Sequence, residues 1–235
     1  MADWKAIVNH VLKYEGGHSA DPNDNALKSG HTGVKGSAID PATNKPYDKR
    51  FPNNFIHTNK GIIYSTYSRY CKQNNKTPNP AEFLAMPKSL WQNIMKSLFW
   101  DGIQGDKINS QPIAEYLFEA RWGGGGNILV KDLQRYINKV ANKSIVKISG
   151  IVDNATVNAI NTLFRRANPQ IAVVKYLTEK RFEYLRTLGD WNRYSRGWSK
   201  RINAMQTKWV NFLKGIAFWQ SWLTFAAIGG AAFFF

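Results

Sequence analysis

The side chain best placed to do chemistry is Glu15, followed at once by Gly16 and Gly17. It ends a stretch in which Trp4, Ile7, Val8, Val11 and Leu12 recur at the spacing of one helix face, with Asp3 able to cap the start and the glycines to stop it. At about 100° per residue, Glu15 returns to within about 20° of the direction of Trp4, so its carboxyl is expected on the apolar side at the helix end. Apolar surroundings raise a carboxyl pKa. A carboxylic acid still protonated near neutral pH is what protonation of a glycosidic oxygen requires. The glycines leave room for a ligand beside it. Position alone also fits an exposed helix-terminal glutamate, so the neighbouring motifs have to decide.

Two further groups could work with such an acid. Asp24 closes Asp21-Pro22-Asn23-Asp24 and could activate water on the opposite face of a sugar, or serve only as an Asx-turn residue. Thr58 opens Thr58-Asn59-Lys60-Gly61-Ile62, and its hydroxyl could hold the same water; Thr32, in Ser29-Gly30-His31-Thr32-Gly33, is a rival nearer to Asp24. Trp100 and Trp122 offer flat apolar faces on which sugars stack, although a helical tryptophan also suits a core. The single cysteine, Cys71, has no partner for a disulfide or a CxxC site and reads as helical, which argues against a nucleophile. No metal or cofactor is expected.

The elements that must position these groups are mainly helical. After the first helix, Ser19 to His57 is rich in Asp, Asn, Pro, Gly, Ser and Lys without sustained periodicity, and reads as a long loop or small irregular lobe. Helical patterning is expected over Lys60–Gln73, Pro80–Leu84, Ser89–Trp100, Gln111–Trp122, Leu129–Val140, Asn154–Ala167, Gln170–Leu188 and Trp198–Leu213. A short β-prone stretch, Ile145–Val152, interrupts them. Residues 215–235 carry no charge, and as a helix would span ~30 Å, the thickness of a hydrocarbon core, so a membrane anchor is expected there.

Lys plus Arg outnumber Asp plus Glu by 32 to 16, a formal charge of +16 that favours polyanions such as the bacterial envelope, anionic lipid or nucleic acid. The basic residues are spread along the chain and no nucleic-acid-binding signature is present, so no specific nucleic-acid partner is expected.

Taken together, Glu15-Gly16-Gly17-His18, Asp21-Pro22-Asn23-Asp24, Thr58-Asn59-Lys60-Gly61-Ile62 and Ser65-Thr66-Tyr67 resemble the motif train of family-108 glycoside hydrolases, muramidases of phages and bacteria. Phe99-Trp100-Asp101, the stretch Gln104 to Ile113 and Leu133-Gln134 are similar to later family segments. Residues 150–161, 181–185 and 196–201 look like the peptidoglycan-binding module often fused to these enzymes, with Asp153-Asn154 standing where that module has Gly-Pro. The family places its threonine soon after the Asp-Pro motif, so residues 25–57 read as an insertion.

The resemblance implies a lysozyme-like helical domain over 1–140, a peptidoglycan-binding-like helical module over 141–207 and, with the apolar tail, an anchor over 208–235. It implies hydrolysis of the peptidoglycan glycan strand, with Glu15 as acid, Asp24 or Thr58 handling water, and Gly16, Gly17, Trp100 and Trp122 against the sugar. The expected setting is a phage lytic protein at host entry or lysis, associated with a virion or host membrane. A lytic transglycosylase would use the same glutamate. A non-catalytic virion membrane protein built on a muramidase scaffold is the alternative of a different class.

Overall fold

The computed structural model describes residues 1–14, 17–19, 34–35, 39–40, 45–46, 55–56 and 58–229. It is mainly helical and divides into two compact units, Trp4–Trp100 and Met1–Asp3 with Asp101–Phe235.

The unit Trp4–Trp100 begins with α1, Lys5–Tyr14, which buries Ile7, Val8 and Val11 as their spacing demands. Three short strands then form an antiparallel sheet in the order β1 (His18–Ser19), β6 (Thr58–Asn59), β7 (Ile62–Ile63). Between β1 and β6, β2 (Val34–Lys35) pairs with β5 (Phe55–Ile56), and inside that pair β3 (Ile39–Asp40) meets β4 (Lys45–Pro46). The described part of the expected insertion therefore carries two nested antiparallel pairings.

The helix expected from Lys60 starts instead at Tyr64, as α2 (Tyr64–Gln73). The reason is local: Lys60 (φ 49°) and Gly61 (φ 76°) are both left-handed, which no helix accommodates but a two-residue type I′ hairpin requires. α3 (Pro80–Ala85) follows, capped by Asn79, whose side chain accepts from the amides of Ala81 and Glu82. α4 (Lys88–Met95) runs into a π turn, Lys96–Trp100, and buries Trp91, Ile94, Met95, Leu98, Phe99 and Trp100.

The second unit is organised around α5, Gln111–Trp122, whose boundaries match the expected helix and whose residues Pro112–Ala120 are all buried. Such a helix has no solvated face for its charges, and it carries Glu115 and Glu119 one turn apart. Both are met by cations from later helices, α8 (Ala167–Arg186) and α9 (Trp191–Gly229). Arg181 on α8 donates to Glu119 at 2.7 Å, and Arg201 on α9 reaches the same carboxylate at 2.9 Å. Arg181 also donates to the carbonyls of Gly123 (3.2 Å) and Gly124 (2.6 Å), tying down the turn after α5. Burial alone would raise the Glu119 carboxyl, but Arg181 and Arg201 outweigh it and hold the group below its ordinary range. Glu115, fully buried, accepts from Trp209 Nε1 at 2.8 Å and from Lys208 at 3.2 Å.

α6 (Gly126–Ala141) and α7 (Asn154–Leu163) complete the unit. The segment between them is not the expected β-prone stretch but a coil stapled to α6. Gln134 accepts from the amides of Ser149 and Gly150 and donates to the Ile151 carbonyl, all at 2.9 Å. Asn138, one turn on, does the same for Ile145 and Val146. Side-chain amides have replaced a neighbouring strand as partners for this backbone. Asp153 then caps α7 through the Thr156 amide at 2.8 Å, and those bonds hold its carboxyl below the usual value.

The membrane anchor expected over 208–235 is not supported: among the described residues no helix is long and apolar enough to cross a membrane. Instead α9 is one continuous helix from Trp191, and residues that were expected to begin the anchor continue a helix whose face Ile202, Met205, Trp209, Leu213 is buried in the protein. Only residues 215–229 of it are free of charge, ~22 Å of helix, and Gln220, Ser221 and Thr224 interrupt even that.

Candidate active site

Glu15, Gly16 and Asp24 lie outside the described residues, as does the rival Thr32. The elements on either side of Glu15 are defined: α1 ends at Tyr14, and β1 starts at His18 after an exposed Gly17. Thr58 belongs to the strand paired with β1, opposite Ser19, and its neighbour Asn59 is opposite His18. The Lys60 amide donates to the Gly17 carbonyl at 3.1 Å, so the Thr58–Lys60 segment is hydrogen-bonded to the residues that directly follow Glu15-Gly16. Antiparallel pairing thus brings two motifs, distant in sequence, to adjacent strands.

What holds this sheet in place is the rest of the Thr58–Ile62 motif. Asn59 is 2% exposed and donates Nδ2 to the Phe83 carbonyl (2.7 Å) and the Leu84 carbonyl (3.1 Å) in the last turn of α3, where the Met86 amide reaches the Phe83 carbonyl only at 3.4 Å. Lys60 Nζ donates to the Met86 carbonyl at 2.8 Å, and the Lys60 carbonyl accepts from the indole of the fully buried Trp91 at 2.9 Å. Gly61 supplies the second left-handed turn position without a Cβ penalty, and Ile62 is buried. Behind the hairpin, Tyr64, Tyr67 and Phe83 pack ring against ring at 5.1–5.8 Å. Tyr67 donates to Glu82 and accepts from the Asn79 amide; burial first, and then the Glu82 carboxylate, push its phenol well above the ordinary value.

Sequence reasoning singled out Thr58 but not Asn59, Lys60 or Trp91, the residues that fix its strand. The available signal was Lys60-Gly61 between the β-branched Thr58 and Ile62-Ile63, a two-residue hairpin turn, which the helical periodicity of the following residues obscured.

The aromatic candidates fall elsewhere. Trp100 closes the π turn with no exposed surface, which leaves its ring no face for a sugar. Trp122, the last residue of α5, is half-buried and belongs to the other unit. Among the described residues no group of His, Cys, Asp and Glu is arranged to hold a metal ion. Cys71 is buried in α2.

In a mainly helical chain, a short β-sheet thus follows a helix that ends at Tyr14, just before Glu15-Gly16-Gly17 in the sequence, and comparison with known families says what class of protein carries these motifs. The profile described as Glycosyl hydrolase 108 matches residues 8–125, just over half of the chain. The chain belongs to that family and is a glycoside hydrolase. The solved structure of Brucella abortus SagA shares the fold, with a TM-score of 0.61 and 19% identity over 89% of this chain and 94% of that one. That likeness takes in helices beyond Gly125, where the family profile ends. No curated protein matches the chain.

Proposed function

We propose that this glycoside hydrolase cleaves the glycan strand of bacterial peptidoglycan as an N-acetylmuramidase, in the setting of a phage lytic protein. The observation that carries the reading is the family match across residues 8–125, which includes Glu15, Asp24 and Thr58. In this reading Glu15 protonates the glycosidic oxygen, and Thr58 or Asp24 positions or activates the attacking water. The pairing of the Thr58 strand with the residues after Gly17 supports Thr58 over Thr32. Gly16 and Gly17 leave the sugar room to approach the acid. The half-buried Trp122 is a candidate platform. Residues 141–207, by their resemblance to a peptidoglycan-binding module, would add a second hold on the wall.

The test is digestion of purified peptidoglycan by the wild type and Glu15→Gln, with mass analysis of the products. The glutamine keeps size and hydrogen bonding but has no proton to give, so activity should fall by orders of magnitude with the fold intact. Near-normal digestion by the variant removes Glu15 from its role. Products lighter by one water, with an anhydro ring, identify a lytic transglycosylase instead. No release of glycan fragments by the wild type favours a scaffold without catalysis.

A further inference from the structure

α9 holds six cationic residues and no aspartate or glutamate along its whole length. Two of them, Arg201 and Lys208, turn inward to the buried carboxylates of Glu119 and Glu115. The other four, Arg193, Arg196, Lys200 and Lys214, are exposed. At about 100° per residue they fall within a sector of about 60°, on the side opposite Ile202, Trp209 and Leu213, which are buried. Phe218 lies in the same sector and is 65% exposed, while Trp219, 61% exposed, projects about 80° to one side of that sector. The outer face of this helix therefore runs from a row of cations into the exposed Phe218, with the exposed Trp219 beside it.

We propose that this outer face docks on the surface of an anionic lipid bilayer, with the helix lying in the interface rather than crossing it. The cations alone would suit any polyanion. Phe218, which continues their line, and the exposed Trp219 next to it decide for lipid, because a dissolved polymer offers no apolar phase in which to bury them, whereas the headgroup–acyl boundary does. Each exposed Lys or Arg adds attraction to anionic headgroups that weakens with salt, and each aromatic adds burial that does not. The absence of acidic residues removes the repulsion that most surface helices would meet at such a membrane. Nothing in this inference depends on the wall-cleaving reaction.

The test is co-sedimentation of the full chain with phosphatidylcholine vesicles, with and without phosphatidylglycerol, at low and high salt. Binding is expected on the anionic vesicles only, and is expected to fall at high salt. The combined variant Arg193→Gln, Lys200→Gln, Lys214→Gln should partition about a hundredfold more weakly, with circular dichroism showing the helices retained. Phe218→Ser with Trp219→Ser should weaken binding further at high salt than at low salt, with circular dichroism showing the helices retained. Equal binding to both vesicle types, or indifference to the triple substitution, overturns the proposal. So does binding that withstands high salt and alkaline extraction, which marks a spanning segment, and so does retention of soluble polyphosphate without vesicle binding.

Discussion

Asn59→Ala tests whether the Thr58 strand is held by the clamp on α3. The asparagine is 2% exposed and spends both amide hydrogens on the Phe83 and Leu84 carbonyls, at 2.7 and 3.1 Å. Each buried hydrogen bond is worth about 1 kcal/mol net, and truncation takes the side-chain donor from both carbonyls, leaving Phe83 with the 3.4 Å bond from the Met86 amide, so the loss should be about 2–3 kcal/mol. With a urea slope of about 2 kcal/mol/M, the unfolding midpoint should drop by about 1–1.5 M. Intrinsic tryptophan fluorescence can follow this, since Trp91 bonds to the adjacent Lys60 carbonyl. Asn59→Asp should do no better, because an ionised carboxylate has no hydrogen to offer two carbonyl oxygens. If Thr58 handles water, both variants should lose turnover more than substrate affinity, and adding Thr58→Ala should cost little more, because the strand is already misplaced. A midpoint within about 0.2 M of wild type, or rescue by aspartate, refutes the clamp.

Other outcomes follow from the second unit. Arg181→Met leaves the buried Glu119 with Arg201 as its remaining cation and should cost about 3–5 kcal/mol in thermal or urea unfolding; pairing it with Glu119→Gln should recover part of the loss. Because Glu119 is held below its ordinary pKa in the folded protein, its contribution is present above the usual carboxylate range and is lost as the pH falls through the lowered folded value. Urea midpoints measured from neutral pH downward should therefore decline on acidification, and decline less steeply in Glu119→Gln. Gly125→Ala, at φ +81° and with a Cβ only 2.5 Å from the Tyr184 ring, should cost about 1–3 kcal/mol by thermal melting. Gly189→Ala, whose Cβ would meet nothing within 4 Å, should stay within about 0.5 kcal/mol.

Periodicity alone located most of the helices, because a helix that buries one face writes that face into the sequence at a fixed spacing. α5 was legible to the residue, since Ser110 and Pro112 mark its start and Gly123 its end. The first helix, Lys5–Tyr14, was legible for the same reason. The errors cluster where a backbone found its partner in a side chain far along the chain. Ile145–Val152 looks like a strand locally, and became a coil because Gln134 and Asn138 satisfy its amides and carbonyls. Lys60-Gly61 looks like a helix start locally and became a hairpin, because Thr58-Asn59 pairs with Ile62-Ile63 across it and the Lys60 carbonyl accepts from the distant Trp91 indole.

By itself the sequence determined the family and the mainly helical class, both of which rest on short motifs and local spacing, and the same motifs are the ground on which Glu15 is proposed as the acid. Only the tertiary structure decided that Asn59, Lys60 and Trp91 anchor the Thr58 strand, that Trp100 is core, and that the charges of Glu115 and Glu119 are answered from α8 and α9. It also made residues 215–229 the continuation of a helix whose earlier turns are packed through Ile202, Met205, Trp209 and Leu213. Local rules record which face is apolar and where a turn is possible; which distant atom completes a buried hydrogen bond or neutralises a buried charge depends on how the elements pack, and no window of sequence contains that information.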